Sequence, residues 1–378
     1  MAVNKVDVNG VTVLDLTQDS VTPETLKKGE TTHDASGALI VGTMETGTEL
    51  KIVVSVTTGA TVTATKGGLS VSGISANGTC TLVVPEAGTW SVNATLNGKT
   101  SNTVSVSVVD SYALMLYFAS YTLNDNEWSV IKAVSDAGEG ANYWSIGDRK
   151  AVTLNGTVGK LSLSNVTTYA FIIGFNHNAS VEGTNRIHFQ LAKTALTGGT
   201  DVCLCDSSYN SNVSTTGYFS MNSERSNSGG WARSQMRTNI CGTSLSSYSG
   251  TIIAVIPAAL RAVLKSVTKY TDNTGIQQTV REVTATTDYF FLLSEYEVFG
   301  STSYANSNER NKQAQYAYYS AGNSKTKYRH DRTSTAADWW LRSPNTINSD
   351  FFVYVTTDGI DTYWYANRSY GFAPGFCV

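Results

Sequence analysis

The sequence predicts an all-β sandwich followed by a larger α+β unit, with a short β/α segment ahead of both. Two observations carry this. Residues 49–110 run strand after strand, with β-branched residues alternating against small polar ones, as in Val104, Val106 and Val108 against Thr103, Ser105 and Ser107. Beyond Ser111, helical spacing appears among strand signals without regular alternation of the two, which favours α+β over a doubly wound sheet.

Residues 1–48 are too short to bury a core and read as an attachment segment. Val6 and Val8 pair across Asn9-Gly10 with Val11 and Val13, because both turn residues tolerate positive φ. Thr22 caps a small helix opened by Pro23; Lys27-Lys28 suits the carboxyl end of its dipole, and Gly29 ends it. Residues 37–43 return as a strand. Strands are then expected at 50–56, 61–65, 79–84, 89–96 and 103–109. They form an immunoglobulin-like sandwich without the paired cysteines of antibody domains, Trp90 being its one tryptophan. In residues 111–378, Trp128, Ile131, Val134 and Ser135 mark a helix ended by Gly138. Leu260, Val263, Leu264 and Val267 mark another after Pro257. Strands are expected at 169–175, 187–191, 251–256 and 289–293.

Composition narrows the function. Charged residues are only 15% of the 378, so the surface is built from Ser, Thr, Asn, Gly and Tyr. With 27 Lys+Arg against 30 Asp+Glu there is no basic excess to track phosphates, which argues against nucleic acid. No run of about 18 apolar residues occurs and Met1–Lys5 precedes no signal core, so neither membrane insertion nor secretion by the Sec route is expected. The five cysteines are an odd number spread along the chain and read as reduced.

Motifs for chemistry are weak. His33, His177, His188 and His330 lack zinc-site spacing, as does Cys203-x-Cys205, and neither metal nor cofactor is expected. His188 reads as a hydrogen-bonded, half-buried strand residue. Gly156-Thr157-Val158-Gly159-Lys160 lacks the spacing of a phosphate loop. Glu295 and Glu297 on one strand face would mimic a glycosidase pair; pairing with Arg or Lys is the better account. No G-x-S-x-G elbow occurs.

The carboxyl end is different. Asp338-Trp339-Trp340-Leu341-Arg342-Ser343-Pro344 gathers two indoles and a guanidinium, a core anchor. Residues 345–370 are rich in Tyr, Phe, Asn, Asp, Ser and Thr, with strands at 351–355 and 362–365 joined through Thr357-Asp358-Gly359. A buried core would not scatter Asp350, Asp361, Asn367 and Arg368 among its rings, because unpaired buried charge is costly. Rings beside short polar groups make a recognition face.

These residues carry a resemblance. Trp339–Pro344, the ending Gly371-Phe372-Ala373-Pro374-Gly375-Phe376-Cys377-Val378, Trp144-Ser145-Ile146-Gly147-Asp148-Arg149 and the run from Tyr289 to Gly300 resemble a bacterial and prophage domain with a C-type-lectin-like fold. That domain occurs in phage tail proteins and in the variable proteins of diversity-generating retroelements. Residues 8–17, Gly29 and 33–37 are similar to the head of tail-fibre proteins. The resemblance implies a virion receptor-binding protein, assembled in the host cytoplasm, that binds a bacterial surface protein or glycan. It implies attachment to tail or baseplate proteins through its first segment and, by analogy with tail fibres, a homotrimer.

In that family, adenine-directed mutagenesis varies chosen codons. The implied ligand-facing set is Ile347, Asp350, Phe351, Val353, Tyr354, Thr356, Ile360, Asp361, Thr362, Tyr363, Trp364, Tyr365, Asn367, Arg368 and Tyr370. Trp364 cannot arise from an Asn codon by adenine changes alone. The implied frame includes Trp339, Trp340, Arg342, Phe352, Val355, Gly359 and Gly371, with Ser349, Ala366 and Ser369. The Glu-Pro-Asn calcium motif of lectins is missing. Two other readings stand beside this one: a non-binding virion decoration protein, and a formylglycine-generating type of oxidase that would use Cys203 and Cys205.

Overall fold

The computed structural model describes residues 3–26, 28–43, 49–275 and 283–378. It is mostly β, in several small sheets. Two compact units divide after Phe118. The expected boundary at 110/111 moves because Ser111–Met115 pairs in parallel with Lys51–Ser55, which also pairs with Thr79–Val83. The 111–115 strand therefore completes a sheet of the first unit.

The second sheet of that unit holds Thr61–Lys66, Leu69–Ile74, Gly88–Leu96, Lys99–Thr100 and Val104–Val108. Period-two alternation buries Ile52, Val54, Val62, Ala64, Val92, Val106 and Val108 around Trp90, whose indole N–H donates to the Glu86 carbonyl at 3.1 Å. The opening segment contributes nothing to this core. Lys5–Val8 pairs with Val11–Asp15 across Asn9 and Gly10, both at positive φ, and Thr31–His33 pairs with Leu39–Val41. Val8, Val11, Val13, Leu39 and Val41 stay exposed, and among the described residues no hydrophobic side chain before Ile52 is buried. The helix expected from Thr22 is instead a turn, in which the Thr25 hydroxyl donates to the Thr22 carbonyl at 3.1 Å and so competes with helix formation. Lys27, assigned to that helix, lies outside the described residues.

In the second unit a five-stranded sheet runs in the order Arg149–Val158, Leu161–Phe175, Ile187–Lys193, Gly375–Cys377, Phe290–Phe291. The Trp128–Asp136 helix lies against it through Trp128, 5.6 Å from Phe189 and 6.2 Å from Phe376 between ring centres. His188 is fully buried on this sheet, not half-buried, with Nδ1 3.2 Å from the Tyr316 hydroxyl. Residues 251–256 are not a strand: Ile252–Val255 is a helical turn, an ambiguity inherent in a short apolar run. After Pro257 only Ala258–Arg261 is helical, and Val267 opens a strand, Val267–Asp272, instead of closing a helical stripe. A separate three-stranded sheet, Trp339–Pro344, Phe351–Val355 and Asp361–Tyr365, carries the region singled out by its composition.

Candidate ligand-binding face

The frame begins with the strand Trp339–Pro344, every residue of which is buried. Trp339 donates its indole N–H to the Lys325 carbonyl at 2.9 Å and Trp340 to the Phe219 carbonyl at 3.1 Å, so neither ring buries an unpaired donor. Arg342 is wholly buried and spends its fork on Glu297 through both terminal nitrogens, on the Thr271 hydroxyl at 2.8 Å and on the Leu292 carbonyl at 2.9 Å. Glu297 also takes Lys269 at 3.0 Å and, through the capping box of the Glu295–Phe299 helix, the Ser294 N–H at 3.0 Å. Burial alone would raise this carboxyl; Arg342 and Lys269 outweigh it and hold it well below the usual carboxylate range.

Glu295 and Glu297 therefore do not share a strand face. They are the first and third residues of a helix, about 200° apart around its axis. Glu297 does pair with Arg and Lys; the Glu295 carboxylate instead takes the backbone N–H groups of Ser303 at 2.9 Å, Tyr304 at 3.1 Å and Ala305 at 2.7 Å.

His177, Glu182 and Glu297 are the cluster of metal-ligating residue types among the described residues. Its centre is taken by Lys269, whose Nζ donates to Glu182 at 2.7 Å, Glu297 at 3.0 Å and the Tyr316 hydroxyl at 2.8 Å. That ammonium supplies the positive charge that a cation would bring.

From this frame the chain turns outward at 345–350. The Asn345 side chain accepts the N–H groups of Ile347 at 3.0 Å and Asn348 at 2.8 Å. Asn227, fully buried on another segment, donates its amide to the carbonyls of Asn345, Asn348 and Phe351. The hairpin follows with Phe351 opposite Tyr365, Phe352 opposite Trp364, Val353 opposite Tyr363 and Val355 opposite Asp361. Gly359 closes its turn at φ +80°, and an added Cβ would lie 3.2 Å from the Thr326 nitrogen. Residues 366–371 return along the 204–213 segment, with the Asn367 carbonyl taking the Val213 N–H at 2.8 Å and the Ser369 hydroxyl donating to Asp206 at 3.1 Å. At Gly371 a Cβ would lie 2.2 Å from the Cys203 sulfur.

The expected ligand-facing set divides three ways. Ile347 (79% exposed), Ile360 (60%) and Trp364 (39%) stand outward. Asp350, Phe351, Tyr354, Thr356, Asp361, Thr362, Tyr363, Tyr365, Asn367 and Arg368 are partly buried. Val353 and Tyr370 are not on the face at all. Val353 is fully buried within the hairpin, opposite Tyr363, and the Tyr370 ring packs 4.8 Å from Trp340 and 4.7 Å from Tyr354. The frame residues Trp339, Trp340, Arg342, Phe352, Val355 and Gly371 are buried, whereas Ser349 is exposed and serves through its carbonyl, which takes the Asn227 N–H at 2.5 Å.

The rings form one continuous group. Phe351 stacks on Tyr363 at 5.2 Å and meets Tyr365 edge-on at 4.9 Å, and Trp364 lies 5.4 Å from Tyr365. Two residues outside the hairpin join it: Tyr304, edge-on to Tyr363 at 4.9 Å, and Arg225, whose guanidinium lies 3.9 Å over the Tyr365 ring. Neither carries a signal in the sequence, because both are brought in by loops.

Cys203 and Cys205 lie with sulfurs 3.8 Å apart, both buried. The contact with Cys203, and then burial, push the Cys205 thiol up, the opposite of what an activated nucleophile needs.

Residues 206–378 match a family described as a domain of unknown function, DUF6273. That span is just short of half the chain and contains the whole of the face. No curated protein and no solved structure matches the chain.

Proposed function

We propose that this chain is a phage or prophage receptor-binding protein of the diversity-generating retroelement kind. In this reading the first unit is an attachment ribbon followed by an immunoglobulin-like module. The second is a C-type-lectin-like domain whose 345–370 face binds a bacterial surface protein or glycan. The observation that carries it is the exposure of Ile347, Ile360 and Trp364 on the 345–350 turn and the hairpin that follows, whose strand is held by the buried side chains of Phe352, Val353 and Val355. Large apolar groups exposed over a rigid frame mark an interaction site, and side chains there can change at little cost to the fold. The exposed apolar faces of the two opening ribbons support the attachment role, since a two-stranded hairpin is marginal until something covers it.

The test is adhesion of the labelled full-length chain to a panel of intact bacteria. On any strain it holds, the double variant Trp364→Ala, Ile360→Ala should lower attachment by more than about tenfold, as loss of an anchoring ring does, with the melting temperature nearly unchanged. Undiminished attachment would overturn the reading.

A further inference from the structure

The motif Trp144–Arg149 has no part in the 345–370 face. Its residues 146–149 wall a cleft of about 620 Å³ in the second unit, whose other walls are the 121–124 and 196–198 loops. Sites for small molecules usually enclose about 300–1,000 Å³. The walls are tied to one another by hydrogen bonds. Trp144 is buried and donates its indole N–H to the Ser120 carbonyl at 3.0 Å, which fastens the motif to the 121–124 loop. Asn126, also buried, braces that loop: its amide donates to the carbonyls of Ser120 and Thr122, both at 2.9 Å, and its oxygen takes the Ser120 N–H at 2.7 Å. The Gly147 N–H reaches the Ile172 carbonyl at 2.8 Å, and the Asp148 carbonyl takes the Ile172 N–H at 2.9 Å. Arg149 holds the third wall, donating from Nη1 to the Ala195 carbonyl at 2.6 Å and to that of Gly198.

This frame presents a ring, a carboxylate and a guanidinium. Tyr121 is 75% exposed, and its ring is oriented by stacking on Tyr143 at 5.3 Å. Leu196 adds a second exposed apolar group to the lining. Asp148 spends Oδ2 on the Ser145 N–H at 2.9 Å, and Arg149 spends Nη1 on the two loop carbonyls. Among the described residues neither charge forms an ion pair, so Asp148 Oδ1 and the remaining guanidinium N–H groups are open to a ligand. An anion would meet Asp148 and a cation would meet Arg149, whereas a neutral molecule carrying hydroxyls donates to the first and accepts from the second. An exposed aromatic face in the same cleft takes the C–H side of a sugar ring.

We propose that this cleft binds a neutral saccharide. Tyr121 stacks on the C–H face of one pyranose ring, Asp148 Oδ1 accepts from its hydroxyls and Arg149 donates to them. No residue lining the cleft belongs to 345–370, so the site is separate from the proposed recognition face and does not rest on that reading.

The test titrates the full-length chain with the methyl glycosides of glucose, galactose, mannose, rhamnose and N-acetylglucosamine, followed by saturation-transfer NMR and intrinsic fluorescence. At least one should bind with a dissociation constant in the millimolar range or tighter, and transfer should concentrate on the C–H protons of one ring face. Tyr121→Ala and Asp148→Asn should each weaken that binding by about tenfold or more. Both should leave the melting temperature nearly unchanged, because Tyr121 is exposed and Asn keeps an acceptor for the Ser145 N–H while turning the open position into a donor. Trp364→Ala should leave the binding as it is. Absence of binding by every glycoside would overturn the inference, as would binding that survives both cleft variants. Binding lost in Trp364→Ala but kept in Tyr121→Ala would also overturn it, moving the sugar to the 345–370 face and leaving the receptor proposal standing.

Discussion

Asn227 and Phe351 are 124 residues apart in the chain, yet the Asn227 amide donates to the Phe351 carbonyl at 3.0 Å at the point where the turn becomes the hairpin. The same amide also holds the carbonyls of Asn345 at 2.9 Å and Asn348 at 3.0 Å. One buried side chain thus fixes the exit from the frame, the turn that lifts Ile347 and the first hairpin strand. Asn227→Ala takes a donor from three carbonyls, of which those of Phe351 and Asn348 keep the backbone N–H of Asn345 at 3.0 Å and of Phe351 at 3.4 Å, and about 1–3 kcal/mol of stability should be lost. Urea unfolding measures the cost, and hydrogen exchange should show it concentrated in 345–351.

That staple was not legible in the sequence. Composition singles out residues 345–370 because rings and short polar groups crowd into them, and strand periodicity places their hairpin. The anchors Trp339, Trp340 and Arg342 were legible because two indoles and a guanidinium together need burial and partners. What stayed hidden was contributed at long range by loops: Asn227, Tyr304 and Arg225 have no periodic pattern to betray them. Val353 and Tyr370 depart from the expected face because period two does not report a strand covered on both sides: Phe352, Val353 and Val355 are all buried, and Tyr370 packs against Trp340 and Tyr354. Glu295 and Glu297 read as strand neighbours because the apolar run 290–293 leads into them; the Ser294 capping box makes them the start of a helix.

The buried Glu297–Arg342 pair has a pH signature. Glu297 is held below its unfolded value of 4.5, so its contribution is complete above that value and drains away as pH falls below it. Glu297→Gln should lose this acid-side component and, by leaving Arg342 and Lys269 short of a partner, cost about 3–5 kcal/mol at neutral pH. Melting temperatures across the acid range check both: the gap between wild type and variant should narrow as pH drops. A constant gap would mean that the carboxylate is not what holds Arg342.

The division of the face into outward and inward positions can be read by placing the same charge on each side. Ile347 is largely in solvent and makes only backbone commitments, through an N–H held by Asn345. Ile347→Asp should therefore change stability by no more than about 0.5 kcal/mol. Val353 has no exposed surface and sits opposite Tyr363, with buried Phe352 and Val355 on its strand. Val353→Asp would place a charge where nothing can pair with it, and a loss of more than about 3 kcal/mol, or failure to fold, is expected. Denaturant midpoints decide between them. If Val353→Asp were as mild as Ile347→Asp, the Val353 site would be open to solvent, and the hairpin would lack the buried support on which the proposed face depends.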